Sequence, residues 1–410
     1  MTLIKKEMEM KSIGLTIALL FVSFNSFGQS YSKSWKDINY AGDTMVYHRL
    51  DIYLPKVEKS AYPVVVAIYG SAWFGNNLKE SAFTTLGKAL LDAGFAVVTP
   101  NHRSSYDAKY PAQIHDIKAV IRFIRANANQ YQLDTTFIGI TGFSSGGHLA
   151  ALAGTSRGVK EYTVGSVTMD IEGKVGQHTS YSSSVDAVVD WFGPTDLLKM
   201  DSCETSSMID HNSATAPEAI LIGGPVQENK EKATLANPIT YVDANDPPFL
   251  IFHGDKDPLV SYCQSVMLFR ALQNAGVPSQ FVLVPGGQHG PGVFEDKYFK
   301  MMTDFFLQQL EITQVGKKDK KDAIKFSVSQ NYPNPFNSIT TITFTLPKKS
   351  LVTITVFDSL GREIARLVSE ELGPGTYTRQ WNPGDLSSWT YFFRLEAGSY
   401  VETKKLVLLK

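Results

Sequence analysis

Several common functional signals are scarce in this chain of 410 residues. Only two cysteines are present, and no pair of histidines or cysteines has the spacing of metal ligands. The net charge is -1 and no stripe of lysine or arginine is visible, which argues against nucleic acid as a partner. Beyond residue 28 no stretch is long and apolar enough to cross a bilayer. We therefore expect no metal, no cofactor, no nucleic-acid partner and no stable membrane span.

The amino terminus has the pattern of a secretory signal peptide. Three lysines precede an apolar run at residues 13–27, and residues 26–28 provide small side chains where a signal peptidase would cut. A membrane anchor is the alternative, but the run is shorter than the roughly 20 residues needed to span, and polar residues interrupt it. We expect residues 1–28 to be removed, so that the mature chain begins near Gln29.

Residues 142–146 read Gly-Phe-Ser-Ser-Gly, between an apolar run at residues 136–140 and a stretch of small residues. A GxSxG motif between a strand and a helix is typical of a nucleophile elbow. The turn needs glycines because it is too sharp for a Cβ atom at the flanking positions. The motif predicts Ser144 as the nucleophile. Ser145 is the alternative nucleophile, but the residue at its position more usually contributes its backbone N–H to the oxyanion hole.

An acid and a base follow in the order nucleophile, acid, base, which is the chain order of the α/β-hydrolase fold. An apolar strand at residues 248–253 ends in a polar loop with Asp255 and Asp257. Asp255 directly follows the strand and is expected to brace the loop, so Asp257 is preferred. A second strand ends in a glycine-rich loop with His289. We predict that His289 takes the Ser144 proton and that Asp257 orients the imidazole. The other histidines considered lie on or beside strand or helix patterns and are interpreted as structural: His102, His115, His148 and His253.

The oxyanion hole is expected after a valine-rich run at residues 63–68. The next seven residues, Tyr-Gly-Ser-Ala-Trp-Phe-Gly, are similar to the His-Gly-Gly-Gly-Trp loop of lipases and esterases. Serine and alanine replace two glycines, so the backbone there is expected to be strained. We assign the donors to the N–H groups of Ala72 and Ser145, with Ser71 as a further candidate. An ordinary strand-to-loop turn is the alternative.

Residues 47–310 resemble the BD-FAE (feruloyl-esterase-like) and hormone-sensitive-lipase-like group of α/β-hydrolases. The resemblance implies hydrolysis of carboxylic esters, often acetyl or feruloyl groups on plant polysaccharides, and it favours Asp257 over Asp255. The substrate would be a small-molecule or polysaccharide ester. The stretches that carry the resemblance are LDIYLP at residues 50–55, the loop at 69–75, YPAQ at 110–113 with Asp116, GFSSGG at 142–147, DWFGPTD at 190–196, IGGP at 222–225 and HGDKDPLV at 253–260.

Strand-like and helix-like segments alternate through this region, which predicts a mostly parallel sheet flanked by helices. All three triad candidates follow strands, so they should meet at the carboxyl edge of the sheet. The predicted strands are 37–40, 46–54, 64–68, 95–99, 136–140, 185–190, 249–253 and 281–284, and the predicted helices are 79–92, 112–127 and 297–310. Of the aromatic residues near strand ends, we expect Trp73 to line the substrate pocket.

The carboxyl end changes in character after a charged run at residues 317–322, which is typical of a solvated linker. We assign residues 29–312 to the catalytic domain, 313–326 to a linker and 327–410 to a small antiparallel β-sandwich. Its motifs NYPNPFN, FDSLG and a terminal KKL resemble the type IX secretion sorting domain. That resemblance implies export by the type IX machinery to the cell surface or beyond, with removal of the domain there. A carbohydrate-binding or adhesive module is the alternative.

An exported chain meets an oxidising compartment, so we predict that Cys203 and Cys263 form a disulfide. Closing a loop of about 60 residues would stabilise the fold by roughly 4 kcal/mol. The alternative is a pair of buried free thiols.

Three classes of function fit the sequence. A secreted serine esterase is preferred. A peptidase of the prolyl-oligopeptidase kind shares the triad order but normally adds a propeller, and no blade repeats precede this domain. The third is a catalytically inactive hydrolase scaffold used for binding, which the irregular oxyanion loop would suit.

Overall fold

The computed structural model describes residues 31–202, 208–318, 326–398 and 400–409. The predicted signal peptide and Cys203 lie outside the described residues. The chain divides into two compact units, with the boundary between Thr313 and Gln314. Each unit is described by itself.

An eight-stranded sheet forms the centre of the first unit, in the order β1-β2-β4-β3-β5-β8-β9-β10. The first two pairs are antiparallel and the others are parallel. A separate hairpin joins β6 to β7. The strands are β1 (Lys33–Asn39), β2 (Arg49–Leu54), β3 (Tyr62–Ile68), β4 (Ala96–Pro100), β5 (Leu133–Phe143), β6 (Glu161–Val164), β7 (Val167–Asp170), β8 (Ala187–Trp191), β9 (Phe249–Gly254) and β10 (Ser279–Val284).

Helices connect the parallel strands. A π-helical turn, Phe83–Gly87, joins α1 to α2, so the helix predicted at residues 79–92 is continuous. The helices are α1 (Lys79–Ala82), α2 (Lys88–Asp92), α3 (Ala112–Ala126), α4 (Ser145–Thr155), α5 (Pro217–Ile222), α6 (Lys230–Ala236), α7 (Cys263–Asn274) and α8 (Asp296–Lys318). Within the described ranges no helix has the length and apolar character that a membrane span requires.

The central strands have buried side chains on both faces, as expected for a parallel sheet covered by helices. The mostly parallel sheet with its helices confirms the predicted α/β-hydrolase fold. The helix α8 runs to Lys318, so the start of the segment predicted as a linker is helical.

Strand order determines which loops meet. The strands β3, β4, β5, β8, β9 and β10 are parallel neighbours, so their carboxyl ends lie along one edge of the sheet. The loop after β3, the elbow after β5 and the loops after β9 and β10 therefore converge there. Ligands bind at this edge in open α/β sheets.

The second unit contains two antiparallel sheets, of order β11-β12-β15 and β14-β13-β16-β17. Apolar side chains from both sheets, including Phe344 and Phe393, form one buried cluster. This arrangement confirms the predicted antiparallel β-domain. Its strands are β11 (Ser327–Val328), β12 (Thr340–Leu346), β13 (Ser350–Phe357), β14 (Glu363–Leu372), β15 (Gly375–Trp381), β16 (Trp389–Ala397) and β17 (Tyr400–Leu408).

Candidate active site

Ser144 occupies the sharp turn between β5 and α4. Its backbone has φ 56° and ψ -126°, in the left-handed half of the map that a residue with a side chain adopts only at a cost of about 1–3 kcal/mol. The N–H of Ser144 donates to the carbonyl oxygen of Trp191 at 2.9 Å, and its own carbonyl accepts the N–H of His148 at 3.0 Å. These contacts hold the turn, so the strained conformation is a fixed feature of the fold.

The glycines of the elbow allow close packing against β3. A Cβ atom on Gly146 would lie 2.4 Å from the carbonyl oxygens of Ile68 and Tyr69. A Cβ atom on Gly142 would lie 2.3 Å from the carbonyl oxygen of Gly146. No side chain fits at either position, which is the steric requirement that the GxSxG motif expresses.

The structure brings the three predicted triad residues together. The Nε2 atom of His289 lies 2.9 Å from Oγ of Ser144, and its Nδ1 atom lies 2.7 Å from Oδ2 of Asp257. The Asp257 side chain is buried, whereas 16% of the His289 side chain is exposed. The base therefore faces solvent and the acid lies behind it.

The surroundings of Asp257 keep it ionised. Its Oδ1 atom accepts the N–H groups of Leu259 and Val260, both at 2.9 Å. Burial alone would raise the pKa of Asp257, but the charge of His289 and hydrogen bonds from His253 and His289 outweigh it, so the pKa lies well below its usual range. A carboxylate accepts only, so the Nδ1–H of His289 donates to it. The Nε2 atom is then left to accept the Ser144 proton.

His253 is a second histidine beside the acid, fully buried. Its Nε2 atom lies 2.8 Å from the carbonyl oxygen of Val260 and 3.4 Å from Oδ2 of Asp257, and its Nδ1 atom lies 2.7 Å from Oγ of Ser265. Because a carbonyl oxygen only accepts, Nε2 carries a proton that also faces Asp257. His253 was predicted to be structural, and its contact with the acid was not predicted. The available signal was its position four residues before Asp257.

Asp255, the alternative acid, contacts the backbone of the loop that carries His289. Its Oδ1 atom accepts the N–H of Gly286 at 2.7 Å. The contact ties the loop after β9 to the loop after β10, which is the bracing role expected for it.

The loop after β3 lies against the elbow. The N–H of Ser71 donates to Oγ of Ser145 at 2.8 Å, so this N–H is already occupied. Ser145 begins α4, and its own N–H therefore has no acceptor one turn earlier in the helix. This leaves the N–H groups of Ala72 and Ser145 as the candidate oxyanion donors. The Ser145 side chain is buried, and its Oγ accepts the Ser71 N–H. Ser145 is therefore poorly placed to act as the nucleophile.

Two residues of this loop adopt left-handed backbone conformations, Ala72 with φ 52° and Trp73 with φ 60°. The strain predicted from the missing glycines is therefore present. Hydrogen bonds within the loop hold it in place: the Tyr69 hydroxyl donates to the carbonyl oxygen of Gly75 at 3.1 Å, and the N–H of Gly75 donates to Oγ of Ser71 at 3.0 Å. Tyr69, which replaces the histidine of the lipase loop, thus closes the loop on itself.

Trp73 does not line a substrate pocket, and that prediction is wrong. Only 1% of Trp73 is exposed, and its indole Nε1–H donates to Nδ1 of His148 at 3.2 Å. The other ring nitrogen of His148 lies 2.8 Å from the carbonyl oxygen of Ala236. Burial lowers the pKa of His148 to about 4, so the ring is neutral and can accept. Trp73 instead connects the loop after β3 to the elbow helix.

Comparison with known families gives an independent result. The sequence model of the BD-FAE family matches residues 50–272, which is more than half of the chain. The chain belongs to the BD-FAE family. A second family, the secretion system C-terminal sorting domain, matches residues 330–409.

The BD-FAE domain is similar to solved carbohydrate esterases. One is a truncated carbohydrate esterase from gut microbiota, 54% identical with a TM-score of 0.66, in an alignment that covers 68% of this chain and 97% of that one. Another is a bifunctional GH43-CE protein of Bacteroides eggerthii, 57% identical with a TM-score of 0.65, covering 67% of this chain and 35% of that one.

Several curated relatives are also described as esterases. Esterase LipQ of Mycobacterium tuberculosis is 29% identical over 230 residues, which is 55% of this chain and 50% of LipQ. The chain thus spans about half the length of the curated relatives it matches.

A buried carboxyl group lies beneath the elbow of the BD-FAE domain. Asp190, at the end of β8, is fully buried, and its Oδ1 atom accepts the N–H of Gly193 at 2.9 Å. A Cβ atom on Gly147 would lie 2.3 Å from this Oδ1. The Oδ2 atom has no hydrogen-bond partner among the described residues. Burial raises the pKa of Asp190 to about 7.

Phe192 directly follows β8 and contacts the base. Its backbone is left-handed, with φ 47°, and its ring centroid lies 4.6 Å from that of His289. The ring is tilted by 56° from the plane of the imidazole and packs beside it.

Of the two cysteines, Cys263 begins α7 and is disulfide-bonded. Its predicted partner, Cys203, lies outside the described residues, so the pairing stays a prediction. Metal-binding clusters of three or more His, Cys, Asp or Glu residues are not found within the described ranges.

Proposed function

We propose that this protein is an exported serine carboxylic-ester hydrolase that removes acetyl or feruloyl-type acyl groups from carbohydrate. The observation that carries the proposal is the position of His289, within hydrogen-bond distance of both Ser144 and Asp257. A nucleophile, a base and an orienting carboxylate in this geometry are the requirements for acyl transfer.

In the first step, Oγ of Ser144 attacks the ester carbonyl carbon while its proton moves to Nε2 of His289. Negative charge develops on the carbonyl oxygen, where the N–H groups of Ala72 and Ser145 would stabilise it. The imidazolium is stabilised by the Asp257 carboxylate, which its surroundings keep ionised. The bond to the alcohol oxygen then breaks, the alcohol takes the proton from Nε2, and an acyl group remains on Ser144.

In the second step, water replaces the alcohol. His289 takes a proton from the water as its oxygen attacks the acyl carbon, and the same two N–H groups stabilise the second oxyanion. Collapse of that intermediate returns the proton to Ser144 and releases the carboxylic acid. The partial exposure of His289 gives water access to the base.

The carbohydrate part of the proposal is supported by the two solved relatives above 50% identity, both described as carbohydrate esterases or as containing one. The sorting-domain match supports export through the type IX pathway, after passage through the inner membrane directed by the predicted signal peptide. A peptidase is disfavoured because the relatives reported above are described as esterases.

An inactive scaffold is the alternative that the left-handed Ala72 and Trp73 backbone would favour. Release of acetate from acetylated xylan and of ferulate from feruloylated arabinose, by the mature chain and by Ser144→Ala, separates these possibilities. We expect activity on at least one substrate and a fall of at least about 10³-fold in the variant. Equal rates for the two proteins would reject the proposal.

A further inference from the structure

An exposed tyrosine lies beside the oxyanion loop. Tyr106 is 67% exposed and belongs to the loop after β4. Because β4 is the parallel neighbour of β3, this loop leaves the sheet at the same edge as residues 69–75. An aromatic side chain of this size, left in solvent next to a catalytic loop, has a ring face available for a ligand.

Hydrogen bonds fix the Tyr106 loop to the oxyanion loop. The N–H of Ser105 donates to the carbonyl oxygen of Trp73 at 2.8 Å, and its hydroxyl donates to the same oxygen at 3.2 Å. The Asn76 amide donates to Oδ2 of Asp107 at 2.9 Å. Both residues that flank Tyr106 are therefore bonded to the segment that carries the proposed oxyanion donor.

A second ring lies beside that of Tyr106. Phe74 is half-buried, and its ring centroid lies 5.1 Å from that of Tyr106, with 34° between the ring planes. The N–H of Phe74 donates to the carbonyl oxygen of Ser71 at 2.9 Å, and the N–H of Ser71 donates to Oγ of Ser145. Two hydrogen bonds thus connect the Phe74 backbone, through Ser71, to Ser145, the residue after Ser144.

Polar groups border this pair of rings. Asp107 is exposed, and hydrogen bonds from Ser104 and Asn76 hold its pKa below the usual range against the opposing effect of burial, so it is a carboxylate acceptor. The Asn76 amide lies beside it. An aromatic surface with donors and acceptors at its border matches a pyranose ring, which has C–H groups on its faces and hydroxyl groups around its rim.

We propose that Tyr106 and Phe74 form a stacking platform for a pyranose ring of the esterified carbohydrate, with Asn76 and Asp107 available to its hydroxyl groups. The inference rests on the proposed ester hydrolysis and names the part of the site that holds the sugar. It assigns binding of the carbohydrate, rather than of the acyl group, to the loop after β4.

The test compares Tyr106→Ala, Tyr106→Phe and the wild-type mature chain. For each protein, kcat/KM is measured with acetylated xylo-oligosaccharides, with p-nitrophenyl acetate, which lacks a sugar, and with methyl ferulate, which has an aromatic acyl group. We expect the ratio of kcat/KM for the oligosaccharide to that for p-nitrophenyl acetate to fall about tenfold in Tyr106→Ala. Tyr106→Phe should keep the ratio, because stacking needs the ring and not the hydroxyl.

Tyr181→Ala is a matched control. Tyr181 is 45% exposed and precedes the amino end of β8, at the opposite edge of the sheet. The ring of His178, which contacts that of Tyr181, has its Nε2 atom 3.4 Å from Nδ2 of Asn127. Asn127 directly follows α3 and lies at that same opposite edge. The control should leave the substrate ratio at the wild-type value.

Three results would overturn the platform: an unchanged ratio in Tyr106→Ala, an equal fall in Tyr181→Ala, or a loss confined to methyl ferulate. These results count against the platform when Ser144→Ala abolishes hydrolysis of p-nitrophenyl acetate, because the measured activity then depends on Ser144. Hydrolysis that persists in Ser144→Ala would instead reject the proposed function itself, so the two failures are distinguishable.

Discussion

The indole N–H of Trp73 donates to Nδ1 of His148 at 3.2 Å, which joins the oxyanion loop to the helix that begins beside Ser144. The bond needs a neutral acceptor, and burial keeps His148 neutral by lowering its pKa to about 4. Because Ala72 directly precedes Trp73, the position of the Ala72 N–H depends on where this indole is held.

Trp73→Phe should therefore slow catalysis without abolishing it. The change keeps an aromatic ring but removes the donor to His148, which frees the strained Ala72 backbone to relax. Loss of a whole oxyanion donor costs about 10²–10³ in turnover, so a displaced donor should lower kcat for p-nitrophenyl acetate by about tenfold, with little change in KM. Trp35→Phe, on the edge strand β1, is the control. An unchanged kcat in folded Trp73→Phe would show that the bond does not position the donor.

The two aspartates of the loop after β9 should differ sharply in their effect on rate. Asp257→Asn removes the charge beside Nδ1 of His289 and permits the wrong tautomer, so kcat should fall by roughly 10³–10⁴. Asp255→Asn should stay near the wild-type rate, since the Asp255 side chain bonds to the loop backbone at Gly286 and asparagine keeps that acceptor. Steady-state hydrolysis of p-nitrophenyl acetate by both variants provides the measurement. The reverse order of effects would mean that the acid has been misassigned.

Asp190 should make the folded state less stable as the pH rises. Burial raises its pKa from 3.8 to about 7, so between these values the folded chain keeps a proton that the unfolded chain has released. Fewer protons bound in the unfolded state means that the free energy of unfolding decreases with pH. The contribution is fully present below about pH 4 and is lost as the pH passes 7.

Asp190→Asn isolates this effect because asparagine keeps the acceptor for Gly193 but cannot ionise. Urea unfolding of both proteins at several pH values from 5 to 8 measures the difference. We expect the stability of the wild type to fall relative to that of the variant across this range. Parallel curves would show that Asp190 does not titrate there.

The candidate nucleophile, acid and base could be identified in the sequence because each is marked by a local pattern. Glycine at positions 142 and 146 reflects contacts too close for a Cβ atom. Apolar runs that end in Asp257 and His289 indicate strands whose carboxyl ends meet in a parallel sheet. Their proximity to Ser144 then follows from the fold.

The misassignment of Trp73 has a physical cause. An aromatic residue after a strand is equally compatible with a pocket wall and with the core. The partner lies 75 residues away in sequence, and no local pattern indicates that hydrogen bond. No local pattern indicates the burial of Asp190 either, because it depends on β5, α4 and the loop after β8 together.

The strand β14 is one that the local sequence pattern does not indicate. Its sequence, EIARLVSEEL, consists largely of good helix formers, and most of its side chains are exposed or half-buried. It is a strand because it pairs antiparallel with the edge of β13 along that strand's length, with two register shifts. Tertiary pairing overrides the local preference here.

The identity of the nucleophile is the central claim, and covalent labelling tests it most directly. Diethyl p-nitrophenyl phosphate should inactivate the protein as one diethylphosphoryl group is added and p-nitrophenolate is released, and peptide mass spectrometry should locate the group on Ser144. His289→Gln should label far more slowly, because the serine then lacks its base. A label on Ser145, or inactivation with Ser144 unmodified, would contradict the assignment.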